Sequence, residues 1–257
     1  MKLVLNIILI FCSINLILGQ KNNNGVTQES VRKGVIYKNE KCWDFSLHTN
    51  GYNIGYHSGK ILTYYKTKYI HIDFGLVEHP RESKVSSLFI QNSSFFSNYT
   101  YGKQYSLWNL RASRGIIRYL SEKSRSKGLA VGYNFEGGLI CGFLKPYYLR
   151  VMRSIDGKIV NEEIKYSEKN RQDFLDVNKI ESSSSFWKGI NETILKPGFG
   201  IKMSLRLDPG AFEKYARSLE LGFLIDGYLQ PVQILVTEKK EHYFINFFAK
   251  LQFGKRY

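Results

Sequence analysis

Cysteine is nearly absent, with Cys12, Cys42 and Cys141 the only three in 257 residues. Cys12 lies in the N-terminal apolar run, so two thiols remain for the folded part and a disulfide-dense scaffold is excluded. Five prolines, and glycines without a three-residue period, exclude collagenous and Pro-rich disordered chains. Beyond the N-terminal run, no apolar stretch reaches the length of a transmembrane helix. There is no G-x-S-x-G, no metal-hydrolase motif and no short His/Cys ligand spacing. Carboxylates are scarce: 22 Asp and Glu stand against 37 Lys and Arg, a net charge of +15. Aromatic residues, at 15%, are plentiful.

The first residues combine Lys2, a mostly apolar Leu3 to Leu18, and Gly19 before Gln20. This predicts a secretory signal peptide over 1–19, cut near Gly19/Gln20. The residue after that cut is Gln20 rather than cysteine, so a lipoprotein anchor is not expected. Cleavage removes Lys2 alone among the charges and leaves +14. The polar "QKNNNGVTQESVRK" over 20–33 reads as a flexible periplasmic tail, and 34–257 as one large domain.

From there apolar and polar residues alternate with period two, the signature of strands with two unlike faces. Eight segments carry it: "CWDFSLHT", "YNIGYHSGKIL", "YIHIDFGLV", "SLWNLRASRGI", "GLAVGYNFEGGLICGF", "FGIKMSLRL", "SLELGFLID" and "YFINFFAKLQFG". One face is Trp, Phe, Leu and Ile. The other is small, glycine-rich and charged. Arg114 breaks the fourth segment's face and predicts a bulge or bend there. Phe244 and Phe248 depart from the pattern of the last. Cys42 and Cys141 fall on opposite faces, which predicts free thiols.

Eight strands of about ten residues match a transmembrane β-barrel. The connections alternate in length: "TYYKTK", "SEKSRSKG" and "DPGAFEKYARS" are short, whereas 78–103, 148–196 and 227–241 are long. The tight link at Asn50-Gly51 is an exception on the long-loop side. Within 149–195, expected as a long extracellular loop, "FLDVNKI" reads as a strand extension or a short helix. Aromatics near the strand ends (Trp43, Tyr52, Tyr64, Tyr65, Tyr101, Tyr105, Tyr147, Tyr148, Tyr243, Phe253) suit an interfacial girdle. A soluble lipocalin-type barrel is the competing reading, with the opposite polarity. The expected fold is all-β: an eight-stranded antiparallel up-and-down transmembrane barrel, termini in the periplasm and long loops outside.

Three blocks, "TNGYNIGYHSGK", "YGKQYSLWNLRASRG" and "GFLKPYYL", resemble a family of uncharacterised outer-membrane β-barrel proteins of Bacteroidota-type bacteria. The resemblance spans Gly34 to Phe253. It implies an outer-membrane location and no established activity, so it transfers no catalytic residue.

An eight-stranded barrel has room inside only for its own side chains. Asp44, His48, His57, His71, Asp73, Arg111, Glu136, Lys202, Arg206, Glu220 and Lys250 are therefore expected to form a polar lumen network of mixed sign. Glu136 is expected to meet Arg111, Arg206 or a lysine. The three histidines with Asp44 and Asp73 also admit a metal reading, but no ligand spacing supports it, and no metal or cofactor is expected. His57 and Ser58 point to opposite faces of a strand, so they cannot act as base and nucleophile. The leading expectation is a non-enzymatic structural or scaffolding barrel whose 149–195 loop, through Phe186 and Trp187, binds an envelope partner. A small pore or solute-binding barrel, and a lipid-modifying enzyme, are the alternatives. For a secreted basic chain, outer-membrane lipid, lipopolysaccharide phosphate or an acidic protein is a better partner than nucleic acid. The sequons at Asn92, Asn98 and Asn191 are chance matches in a bacterial protein.

Overall fold

The structure is a computed structural model that describes residues 37–86, 98–121, 128–155, 158–209, 211 and 213–257. The expected leader, the tail over 20–33 and Asn92 lie outside these residues. In chain order the strands are β1 (Asn39–His48), β2 (Gly51–Thr63), β3 (Lys66–Val77), β4 (Lys84–Ser86), β5 (Asn98–Thr100), β6 (Tyr105–Tyr119), β7 (Ala130–Pro146), β8 (Tyr148–Ile155), β9 (Lys158–Lys165), β10 (Ile180–Ser183), β11 (Ile194–Asp208), β12 (Tyr215–Val232) and β13 (Glu241–Arg256). A one-turn helix, α1 (Arg171–Leu175), precedes β10.

The eight alternating segments become β1, β2, β3, β6, β7, β11, β12 and β13, and these close into a barrel. Every neighbouring pair is antiparallel, and β1 pairs with β13 to shut the seam. Closure leaves no barrel strand with an unpaired edge, so the backbone is satisfied without water.

The faces sort as the alternation demands. Phe45, Ile54, Ile72, Phe74, Phe135, Leu139, Ile201, Phe223 and Phe247 point outward and are exposed, while Asp44, Asn53, Asp73, Glu136 and Arg206 point inward and are buried. Burying a large apolar side chain is worth about 1.5–3 kcal/mol in water. A soluble barrel would not leave a whole belt of them outside while enclosing its charges. The lipocalin-type polarity is thereby excluded.

Several inward residues break the rule. Leu107, Ile117, Ile140, Leu224, Phe244 and Phe248 point into the barrel and are buried. Ile140 and Phe244 join Val77, Leu107, Leu144, Tyr228, Val232, Ile234 and Leu235 in an apolar cluster toward the loop end. A smaller cluster of Tyr69, Ile117, Tyr119, Ala130 and Ala211 lies toward the end where the short turns and the C-terminus meet. An apolar plug thus closes the loop end of the polar lumen, and at the turn end apolar residues are interleaved with its charges. The expected bulge at Arg114 is absent. The registers of β6 with β3 and with β7 run through Arg114 unbroken, and its side chain simply points outward.

At the tight β1–β2 link, Gly51 has φ +143°, and a Cβ there would run into the backbone of Leu76. Both facts require glycine. The segment 149–195 is built rather than loose. β8 and β9 form a hairpin and β10 adds to β8. "FLDVNKI" divides between both expected forms, with α1 ending at Leu175 and β10 starting at Ile180. Tyr99, Leu149, Val151, Ile164, Phe174 and Ile180 make the core of this cap, and Tyr101 and Tyr147 pack against it. Tyr105 packs against the loop-end plug. These three tyrosines therefore leave the expected girdle, because the cap and plug they serve were not visible as a core.

Glu163 ties the cap together. It accepts hydrogen bonds from Lys188 Nζ at 2.7 Å and Ser184 Oγ at 2.7 Å, linking β9 to the turn after β10. The Lys188 bond, with that from Ser184, holds its carboxyl down at about 2. A depressed carboxylate contributes its stabilisation above its unfolded value of roughly 4.3 and loses it as pH falls toward the folded value. Amide exchange in 158–190 is expected to accelerate as pH is lowered from 5 to about 2, once corrected for intrinsic rates. Glu163→Gln should show the faster exchange already at pH 7. Equal protection in both proteins at pH 7 would contradict the tie.

Candidate functional site: the charged lumen

All eleven residues expected in the lumen are buried inside the barrel. Their alternation with outward apolar neighbours puts them there, and the antiparallel registers bring them level. Two networks result.

The upper one centres on Asp73 and Glu136. Arg111 donates to Asp73 Oδ1 at 2.8 Å and to Asp226 at 2.5 and 3.2 Å, and it reaches Asn53 at 3.1 Å. Lys202 Nζ lies 2.5 Å from Asp73 and 3.3 Å from Glu136. His71 bonds Glu136 through Nδ1 at 2.9 Å and Asp44 through Nε2 at 3.0 Å. A carboxylate at each ring nitrogen asks both to donate, which makes His71 an imidazolium. Ser113 adds a 2.5 Å bond to Glu136. Glu136 therefore finds a lysine, as expected, but Lys202 rather than an arginine.

The lower network joins Arg206, Glu220, Lys250 and His57 to residues that the sequence reading did not include among the lumen network. Arg206 donates to Glu220 at 2.8 Å and to Gln252. Lys250 Nζ lies 2.8 Å from Glu220. Glu40 bridges His57 Nε2 at 2.9 Å and Arg256 Nε at 2.8 Å. Gln252 Nε2 sits 2.7 Å from His57 Nδ1, so Nδ1 accepts, Nε2 carries the proton, and this ring is neutral. Arg256 also bonds Asp208 at 3.0 Å, and Tyr119 donates to Asp208 at 2.6 Å. His48 is buried but joins neither network through a hydrogen bond.

Glu40, Asp208 and Arg256 each lie just beyond the end of a clearly alternating segment, one step further along its period. Glu40 is two residues before Cys42, Asp208 two after Arg206, and Arg256 two after Gly254. Extending the period by one pair at each strand end finds all three.

Among the described residues the barrel holds seven buried carboxylates (Glu40, Asp44, Asp73, Glu136, Asp208, Glu220, Asp226) against five cations (Arg111, Lys202, Arg206, Lys250, Arg256). The His71 imidazolium offsets part of the excess. His71, Asp73 and Glu136, and likewise Glu40, Cys42 and His57, place ligand atoms within 4.8 Å of one another. Lys202 and Arg256 already neutralise those carboxylates, so a metal would have to displace a paired cation. Ser113 Oγ bonds to Glu136 and to the His71 backbone carbonyl, not to the His71 ring, so no Ser–imidazole pair forms in this cluster. The cavity beside Arg111, Ser113 and Glu136 measures about 10 Å³, room for at most one water.

Space for the network comes from inward glycines. Tyr69 stacks on His57, ring centroids 4.4 Å apart, and its hydroxyl lies 2.7 Å from Asn134 and 3.0 Å from Glu136. Its ring occupies the space a Cβ on Gly115 would need. Gly115→Val is expected to displace Tyr69 and destabilise the barrel by about 1–3 kcal/mol. Urea unfolding in detergent micelles measures this, and an unchanged midpoint would refute it.

Phe186 and Trp187 sit on the turn after β10. Phe186 packs edge-on to Trp108 at 6.0 Å, on the outer wall where Trp108 stacks on Phe74 at 5.4 Å. Lys145 Nζ stands 4.0 Å over the Phe186 ring and donates to its carbonyl. Trp187 is 77% exposed.

A closed antiparallel barrel, apolar outside and ion-paired inside, is the construction of a transmembrane β-barrel. No family model and no curated protein matches the chain. Among solved structures the chain is similar to the crystal structure of the N-terminal β-barrel domain of Pseudomonas aeruginosa OprF. That similarity has a TM-score of 0.31 at 10% sequence identity and covers 86% of this chain and 98% of that one.

Proposed function

We propose that this chain is an integral outer-membrane β-barrel with a sealed lumen, whose cap acts as a scaffold for an envelope partner. One observation carries the reading: an outward apolar belt surrounds a lumen filled with paired charges and packed with apolar side chains toward both ends. The barrel then holds the membrane, the short turns and the C-terminus lie in the periplasm, and the cap stands outside. Trp187, exposed on a turn anchored by Phe186, is the natural contact for a partner or for lipopolysaccharide. The resemblance to the Bacteroidota-type family agrees with this location, and the burial of the lumen charges supports a non-enzymatic role.

Two measurements test it. Reconstituted in planar bilayers, the protein is expected to give no unitary conductance; regular current steps would favour the small pore. In intact cells, a membrane-impermeant maleimide should label Trp187→Cys and reach Lys214→Cys only after lysis. The opposite pattern would reverse the orientation. A photo-crosslinker at position 187 should capture one discrete protein, and recovery of the barrel alone would remove the scaffold role.

A further inference from the structure

The outer wall carries a feature that the lumen reading does not use. Outward positions near the turn end of β2, β3 and β6 are basic: Lys60, Lys66, Lys68, Arg114 and Arg118, all exposed. Register sets like against like. Lys60 is directly opposite Lys68, and Lys66 directly opposite Arg118. Like charges in facing positions on one side of a sheet repel. Among the described residues none of these five cations has an ion pair, and no outward position on β2, β3, β6 or β7 is a carboxylate.

Arg114 is the least expected of them. It lies two outward positions above Arg118 with Ile116 between, so it stands within the apolar belt. Its register partners are Ile70 and Gly137. Gly137 faces outward, and a Cβ there would touch only the Gly200 carbonyl oxygen at 3.9 Å, so the wall is recessed beside Arg114. A groove of about 660 Å³ follows, running from Lys60 and Lys68 past Ser58 to Arg114 and Gly137, with Ile70 and Phe135 as its apolar walls.

We infer that this groove seats the phosphate headgroup of an anionic phospholipid from the leaflet at the turn end of the barrel. The inference rests on the membrane reading. The chemistry fits in three respects. Lys60 and Lys68 supply charge at the rim, where headgroups lie. Arg114 offers a guanidinium fork suited to phosphate oxygens, set deeper so that its partner is drawn into the wall. Ser58 adds a hydroxyl donor, and Ile70 and Phe135 flank the space that the first acyl carbons would occupy. One anion also relieves the repulsion between Lys60 and Lys68.

The full chain, folded in neutral detergent, would be exposed to equimolar phosphatidylglycerol and phosphatidylcholine and its retained lipid read by native mass spectrometry. Wild type is expected to retain phosphatidylglycerol preferentially. Arg114→Gln and Lys68→Gln should each lower that preference roughly fivefold, the effect of one cation near a charged headgroup. Lys255→Gln, an outward cation on β13 away from the groove, should leave it unchanged. Heat-dependent gel mobility shows that each variant is folded. Equal retention of both lipids, or equal loss in all three variants, overturns the site while the barrel stands. Displacement of the lipid by inorganic phosphate would reduce it to a free-anion site. A chain that stays monomeric and soluble without detergent overturns the membrane reading and this site together.

Discussion

Replacing Arg111 with alanine is expected to destabilise the barrel by about 3–5 kcal/mol, the cost of stripping one partner from a buried ion pair. The guanidinium contacts both Asp73 and Asp226, each almost fully enclosed, and no exposed route lets either recover water. Lys202 still reaches Asp73 after the change, but Asp226 keeps only a long 3.4 Å bond from Asn109. The loss should therefore fall mainly on Asp226. Adding Asp226→Asn to Arg111→Ala removes the orphaned charge and should restore part of the deficit, so the two effects are non-additive. Urea titration in micelles, followed by tryptophan fluorescence, gives all three values. A single-variant cost under about 1 kcal/mol would mean that the lumen is hydrated enough to solvate the carboxylate.

Phe223→Arg tests the opposite surface. Phe223 stands outward near the middle of β12, exposed and packed edge-on to Phe247 at 5.6 Å. On a water-soluble protein such a change is close to neutral, because surface substitutions usually stay within about 0.5 kcal/mol. In lipid, an arginine at mid-depth on a barrel wall costs about 2–4 kcal/mol. Tyr215→Arg, outward at the turn end of the same strand, should cost roughly 0–1 kcal/mol by the same depth rule. Folding into phosphatidylcholine vesicles reads both. Equal costs at the two positions would show that the wall does not face a bilayer.

The barrel was legible in the sequence because a period of two is written along each strand without reference to any other strand. Trp43, Phe45 and Leu47 need only their own neighbours to declare a face. Pairing is different. Glu136 declares that it points inward, but whether it meets Lys202 or Arg111 depends on the relative stagger of β7, β11 and β6, which no single segment carries. The same limit hid the donor sets around His71 and His57, whose members come from different strands. The plug was obscured for a second reason. Ile140 and Phe244 put apolar residues on the inward face, and an apolar residue out of phase looks like noise until a core is seen around it. The cap escaped because β4, β5 and β10 are only three or four residues long, and the eight-residue β8 and β9 mix apolar and polar residues on both faces.

The seam between β1 and β13 has a consequence for assembly. A slip of two residues along it would keep every apolar side chain outside and every polar one inside, so solvent preference cannot forbid it. The native alignment sets Glu40 against Arg256, Cys42 against Gly254 and Asp44 against Gln252. A two-residue slip can put Arg256 opposite Cys42, separates it from Glu40, and moves Gly254 from the place where the Cys42 thiol fills the space beside it. Buried ions of this kind add little net stability, yet a misaligned closure would strand them in the wall. The first and last strands thus carry a lock and key for one another. The barrel that shuts out of step is rejected by its own charges before lipid has any means of telling the two apart.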